Sequence, residues 1–352
     1  MTTRRSHQTK EDRVAFYPPH GGALDAAARH FNIAKERWLD LSTGINPLPW
    51  PQPKPFPTIS QDAWTRLPEE GAEADLLSAA ALYYGAPAPK NVVSAPGSQS
   101  LIALLPRLFS NPLSVTVIEP TYGEHAPSWT AGGHNVRAIG DLSGLSNSDD
   151  VLVLCNPNNP DGRRWQADTI LSLLGGAQKE NPLIVVDEAY GDTDPRLSLA
   201  SQVNRQNIIV LRSFGKFFGL GGARLGFALS AAPMAEKIRV ALGPWAVSGP
   251  ATAIATKALG DQGWIQATRT RLTTQRKKLD QILKSARLDV VGGTDLFCLV
   301  RHSGAAALFA HLCTNAILVR AFPAMPDRLR FGVPGNEVAL HRLRDALISY
   351  RG

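Results

Sequence analysis

The chain has 352 residues and a mass of 37.9 kDa, with 44% hydrophobic and 19% charged residues, the balance of a folded enzyme long enough for a large domain and a companion. A formal net charge of +7 and a sequence pI of about 9.4 raise nucleic acid, acidic surfaces and small anions as partners. The basic residues are scattered, the densest group (Arg269, Arg271, Arg276, Lys277, Lys278) reads as a solvated helix face, and no RNA-binding or zinc-finger pattern occurs, so small anions fit best and no nucleic acid is expected. No apolar run approaches the roughly 18 residues of a membrane span, and MTTRRSHQTKEDR lacks the apolar segment of a signal peptide, so a cytoplasmic location without membrane contact is expected. Cys155, Cys298 and Cys313 show no C-x-x-C spacing and the eight histidines no H-E-x-x-H, so neither a disulfide nor a metal site is expected.

In chain order, His20-Gly21-Gly22 precedes an alanine-rich helix, where glycines either bare backbone N–H groups to an anion or simply make a turn. LDLSTGINP, residues 39 to 47, ends a short strand. From Pro47 to Pro57 every second residue is proline, which predicts a stiff, extended connector. An alanine- and leucine-rich helix from Ala72 to Tyr84 leads to NVVSAPGSQSLIALLPRLF, a strand, a glycine turn and a helix over 100–109. Amides at the start of that helix, with its dipole, would hold a phosphate against Gly97, Ser98 and Gln99. VTVIEPTYGEHA, VLVLCNPNNPDGR and PLIVVDEAYGD each pass from an apolar strand to polar residues, at Tyr122, Asn159 and Asp187. Strands alternating with helices predict an α/β sheet, with a site at the strand ends.

NIIVL (207–211) and LGFAL (225–229) read as two further strands, and between them SFGK sets Lys216 among Phe214, Phe217 and Phe218. Poor solvation there disfavours the ammonium form and leaves a neutral nucleophile able to form a Schiff base. A lysine lying along a loop surface is the alternative. After Ser230 the pattern turns to helices (234–241 and 262–285), then short strands near 288–291, 296–300 and 329–333. A closing amphipathic helix follows, with Leu340, Leu343 and Leu347 on one face. The expected organisation is an N-terminal arm and Pro-rich connector over 1–57, a large domain over 58–230 and a small C-terminal domain over 231–352.

Taken together, N-P-N-N-P-x-G, V-D-E-A-Y with Asp187 29 residues before Lys216, S-F-G-K, and R-L-G resemble the fold-type-I pyridoxal-phosphate enzymes of the aspartate aminotransferase superfamily across nearly the whole chain. The resemblance implies a large domain with a mostly parallel central sheet flanked by helices, a smaller α+β domain, and pyridoxal 5′-phosphate as cofactor. It also implies a homodimer. By the same likeness, Lys216 carries the cofactor, Asp187 keeps its ring nitrogen protonated, Asn159 and Tyr190 bond its phenolic oxygen, and Tyr122 stacks on its ring. Gly97, Ser98, Gln99, Ser213 and Arg224 hold its phosphate. Singly, each residue also has a plain reading: a helix cap for Asp187, a turn for Asn159, core rings for Tyr122 and Tyr190, a surface ion pair for Arg224.

Within the superfamily, the chain is similar to the branch of histidinol-phosphate aminotransferases and threonine-phosphate decarboxylases. HGG near the start, S-x-x-I-N-P (Ser42 to Pro47) and N-P-D-G-R look most like the decarboxylases. That likeness implies loss of the carboxylate from a phosphorylated amino acid, with His20, Gly21 and Asn46 near the substrate, Arg320 gripping its phosphate and Arg330 its carboxylate. Amino-group transfer by the same groups is the near alternative, and a non-catalytic binding protein the distant one. Two positions depart from the pattern. Leu67 stands in R-L-P where relatives have a tyrosine that reaches the neighbouring subunit, and Asp161 replaces the usual threonine of N-P-T-G.

Overall fold

The computed structural model describes residues 16–174, 182–205 and 207–351; the opening MTTRRSHQTKEDR lies outside them. Seven short strands, several of them unbroken runs of Val, Ile and Leu, make the central sheet. Their spatial order is Val92–Ala95, Gly226–Ser230, Ile208–Ser213, Leu183–Asp187, Val151–Cys155, Ser114–Ile118 and Asn135–Ile139. Only Gly226–Ser230 runs antiparallel to its neighbours. The inner strands are buried at nearly every residue, as continuous apolar strands must be when helices cover both faces. All the parallel strands therefore end on one edge. Register places Cys155 beside Asp187, and Gly226 between Ala95 and Ser213.

The chain divides into two units, residues 48–269 and residues up to 47 joined with those from 270 onward. The boundary expected at 230 therefore lies about one helix pair later. Ala235 and Ile238 of the Ala232–Leu242 helix enter the core beneath the large sheet, and the Gly249–Gly260 helix lies along Glu70–Tyr84 through its small buried residues. Nor are residues 16–47 an arm. Leu39–Asp40 pairs in parallel with Ile317–Leu318, and Phe31, Trp38 and Leu41 lie in the second unit's core with Leu308, Leu312 and Phe331.

The second unit is built on an antiparallel sheet ordered Arg320–Phe322, Met325–Gly332, Phe297–Arg301, Asp289–Thr294. Its closing helix, Glu337–Ser349, buries Leu340, Leu343 and Leu347 as their spacing predicts. The proline-rich stretch departs from the extended connector: residues 50–53 form a turn. Trp50, 5% exposed, donates from its indole to Asp261 Oδ2 at 3.0 Å, and the Trp264 indole donates to the Gln52 carbonyl at 3.0 Å. Burying an indole with its N–H satisfied outweighs the polyproline preference. Among the described residues no helix is long and apolar enough to cross a membrane.

Candidate active site

In the 48–269 unit the strand ends bring the sequence candidates together. Asp187 closes its strand with its carboxylate 4% exposed, accepting from the Ala189 amide at 3.0 Å and facing His125 Nε2 at 3.0 Å. Burial of the imidazole opposes its charge, but the Cys155 sulfur and the Asp187 carboxylate beside it outweigh that and raise the His125 pKa to about 10. His125 is thus an imidazolium at neutral pH, and its Nε2 and the Ala189 amide hold the Asp187 carboxylate in one orientation. His125 was not legible in the sequence. A lone histidine three residues past Tyr122 carries no motif; only its place on the first turn of the His125–Ala131 helix, after a strand of the same sheet, marks it.

His125, Cys155 and Asp187 set an imidazole nitrogen, a sulfur and a carboxylate oxygen within 4.8 Å of one another. No metal spacing in the sequence announces this set, and the three are joined by hydrogen bonds, the sulfur lying 3.5 Å from Nε2. Tyr122 hydroxyl donates to Gln99 Oε1 at 3.0 Å, and its ring meets His125 edge-on at 5.9 Å. Burial, reinforced by Glu124 and Asp187, pushes the Tyr122 pKa up to about 12, so the hydroxyl keeps its proton.

Lys216 is half-buried, its amine 5.7 Å from the centroid of the buried Tyr190 ring. Phe214, Phe217 and Phe218 are fully buried and pack on one another and on Trp264, so the ring recorded against the amine belongs to Tyr190. The helix expected from Ser100 starts at Ser98 and tightens at Leu105 into a 3₁₀ turn. Gly97, with φ of 87°, is bare for a reason: a Cβ there would lie 2.7 Å from Arg224 Nη2. Arg224, itself at φ 50°, thus has its guanidinium over the Gly97–Ser98 turn, and Ser213 ends the strand on the other side of Gly226. Asn159 follows the Val151–Cys155 strand on the turn Asn156 to Arg163.

The other unit assembles the remaining candidates. Arg320 and Arg330 are direct cross-strand partners, so a ten-residue separation becomes adjacency on one face. Arg330, 5% exposed, donates to the Ser42 carbonyl at 2.8 Å and lies over the Phe297 ring at 5.0 Å. Arg320 donates to the carbonyls of Pro18 and Pro19, immediately before His20. Ser42, given no site role in the sequence beyond opening S-x-x-I-N-P, is the hub: its hydroxyl accepts from the Gly22 amide at 2.7 Å and donates to Asp40 Oδ1 at 2.6 Å. Gly21 sits so close to Ser42 that a Cβ would lie 2.4 Å from its carbonyl oxygen. Asn46, 2% exposed, accepts from Arg271 at 3.3 Å.

The profile of the family described as "Aminotransferase class I and II" matches residues 36–347. A threonine-phosphate decarboxylase of Pseudomonas aeruginosa is 42% identical over 334 residues, 94% of this chain and 98% of that protein. A histidinol-phosphate aminotransferase of Pectobacterium atrosepticum is 30% identical over 289 residues, 76% of this chain and 80% of that one. Among solved structures, the histidinol-phosphate aminotransferase of Sinorhizobium meliloti in complex with pyridoxal-5′-phosphate superimposes with a TM-score of 0.75 at 23% identity, covering 97% of this chain and 96% of that one.

Proposed function

The chain belongs to the class I and II aminotransferase family, and from that membership we propose that it is a lyase that decarboxylates L-threonine O-3-phosphate with pyridoxal 5′-phosphate as cofactor. The product is (R)-1-aminopropan-2-yl phosphate, which supplies the aminopropanol arm of cobalamin. The observation that carries the reading is the identity to a threonine-phosphate decarboxylase, 42% over 94% of the chain, against 30% over 76% for an aminotransferase.

The residues fit the cofactor. An amine at Lys216, a buried carboxylate fixed by His125 at Asp187, and a turn at Gly97 kept bare of a side chain under Arg224 are what an aldehyde, a pyridine nitrogen and a phosphate require. When bound, pyridoxal phosphate supplies a ring that accepts the electron pair left as the bond from Cα to the carboxylate breaks. We assign Lys216 Nζ to hold the aldehyde carbon and, once freed, to return a proton to Cα. Asp187 keeps the proton on the pyridine nitrogen, Asn159 and Tyr190 bond the phenolic oxygen, and Tyr122 lies against the ring. Gly97, Ser98, Gln99, Ser213 and Arg224 anchor the cofactor phosphate. Arg330 takes the substrate carboxylate and Arg320 its phosphate, with His20, Gly21 and Asn46 beside them; the cross-strand placement of the two arginines supports two anionic grips on one small molecule.

A homodimer in the cytoplasm completes the reading. Leu67, 63% exposed, lines a cleft of about 450 Å³ between the Gln61–Thr65, Glu70–Tyr84 and Gly249–Gly260 helices, and Trp64, 69% exposed, stands on the first of them; these exposed apolar side chains suit a second copy. Purified protein given threonine phosphate alone releases carbon dioxide, and borohydride fixes the cofactor on the peptide containing Lys216. Glutamate from histidinol phosphate plus 2-oxoglutarate, without carbon dioxide in the first assay, assigns the aminotransferase instead.

A further inference from the structure

Asp161, the aspartate of N-P-D-G-R, lies at one end of a continuous run of polar contacts that ends on Asp187. Its Oδ1 accepts from Asn158 Nδ2 at 2.7 Å, and the same amide nitrogen donates to the Pro120 carbonyl at 2.8 Å. Two hydrogens facing two acceptors fix the orientation of this fully buried amide, because the flipped form would set its oxygen against a carboxylate and a carbonyl. Asn158 Oδ1 therefore faces Thr121 Oγ1, at 2.9 Å. Thr121 Oγ1 is also 3.0 Å from Cys155 Sγ. A hydroxyl has one proton, and Asn158 Oδ1 has none to give, so the threonine proton goes to Asn158 and the hydrogen between sulfur and Oγ1 is the thiol's. With its proton turned away, Cys155 presents only lone pairs to His125, whose Nε2–H is left to Asp187 Oδ2 at 3.0 Å with a weaker share to sulfur at 3.5 Å.

We propose that Asp161 is a positioning residue for Asp187: acting through Asn158 and Thr121, it draws the Cys155 thiol proton away from the His125–Asp187 pair, so that the carboxylate receives the imidazole hydrogen and stays aimed at the ring nitrogen of the cofactor. This rests on the reading of the site as a pyridoxal-phosphate enzyme. Asp161 also accepts from the Arg163 amide at 2.9 Å and pairs with Arg163 Nε at 2.7 Å, so a purely local role in the turn is the alternative that the experiment separates.

Two readouts decide it, neither of them turnover. The first is the imidazole N–H resonance of His125 in cofactor-free, histidine-labelled protein, assigned with His125→Asn; the second is the dissociation constant for pyridoxal phosphate. Asp161→Ala shifts the resonance and weakens cofactor binding about 3- to 10-fold, Thr121→Val does the same, and the double variant is no worse than either single one. Asp161→Asn, which keeps an acceptor, recovers binding to within about twofold of wild type. Additive losses in the double variant, an unmoved His125 resonance in Asp161→Ala, or an equal loss from Arg163→Gln overturns the proposal. Wild-type protein that binds no pyridoxal phosphate overturns the functional reading, while the resonance still decides this one.

Discussion

Asp187 and Glu188 are consecutive carboxylates at the end of one strand, and their surroundings assign them opposite tasks. Asp187 faces His125 on the side of Tyr122 and Cys155, whereas Glu188, wholly buried, bonds Arg212 Nη1 at 2.6 Å, the Ser198 hydroxyl at 2.6 Å and the Leu199 amide at 2.7 Å. Arg212 also reaches Asp192 at 2.8 Å and lies 4.4 Å from the centre of the Tyr84 ring. Burial raises the Glu188 pKa and Arg212 opposes it. On the Asp187 side one cation meets one carboxylate; on the Glu188 side one guanidinium serves two. The lesson is that a buried carboxylate marks a functional site only when its partners leave acceptor capacity for something else.

The contrast can be broken from either side. The largest effect is expected on stability: Arg212→Ala strands two buried carboxylates and lowers the free energy of unfolding by about 3–5 kcal/mol in urea titrations. Enzyme that stays folded keeps its rate; an unchanged midpoint would remove the structural role. Asp187→Ala should instead lower kcat by about 10² to 10³, roughly 3–4 kcal/mol, with the thermal midpoint moved far less than in Arg212→Ala. In the other unit, Arg320→Ala should keep its bound cofactor, read from the visible spectrum, yet lose roughly 10- to 150-fold in kcat/KM for threonine phosphate, about 1.5–3 kcal/mol.

The smallest change per step sharpens the comparison through pH. The His125 pKa is raised in the folded state, so the stability it contributes is complete below its unfolded value of 6.5 and is lost as pH rises through the folded value. Wild type should lose up to about 1.4 kcal/mol per pH unit across that window, and His125→Asn should lack this slope. Equal slopes in both proteins would assign the titration elsewhere.

Much of the large sheet was legible, and its candidates other than Arg224, which precedes one, end a strand or follow it within a few residues. Lys216 sits three residues past Ser213, and Asn159 four past Cys155, so motif spacing and strand ends coincide. His125, Thr121 and Arg212 were not legible, since each works through partners 20 to 62 positions away and no short pattern records such contacts. The 230 boundary misled because a change from strands to helices was taken as a change of unit, while the small residues of 249–260 fit the groove beside Glu70–Tyr84. The proline repeat misled because propensity said nothing of the acceptor waiting for the Trp50 indole. Arg320 and Arg330 face each other because a hairpin brings ten residues back on themselves.

The pairing of Leu39–Asp40 with Ile317–Leu318 has a consequence for synthesis. The partners are separated by 317 − 39 = 278 residues, which a ribosome adding about 5–20 residues per second needs roughly 14–56 s to make. During that time Phe31 and Trp38 have no finished core to enter, because Leu308, Leu312 and Phe331 are not yet translated. The large sheet, complete by Ser230, can fold on the ribosome while the nascent chain's first apolar cluster waits in solvent, and release of the last strands is the event that rescues it.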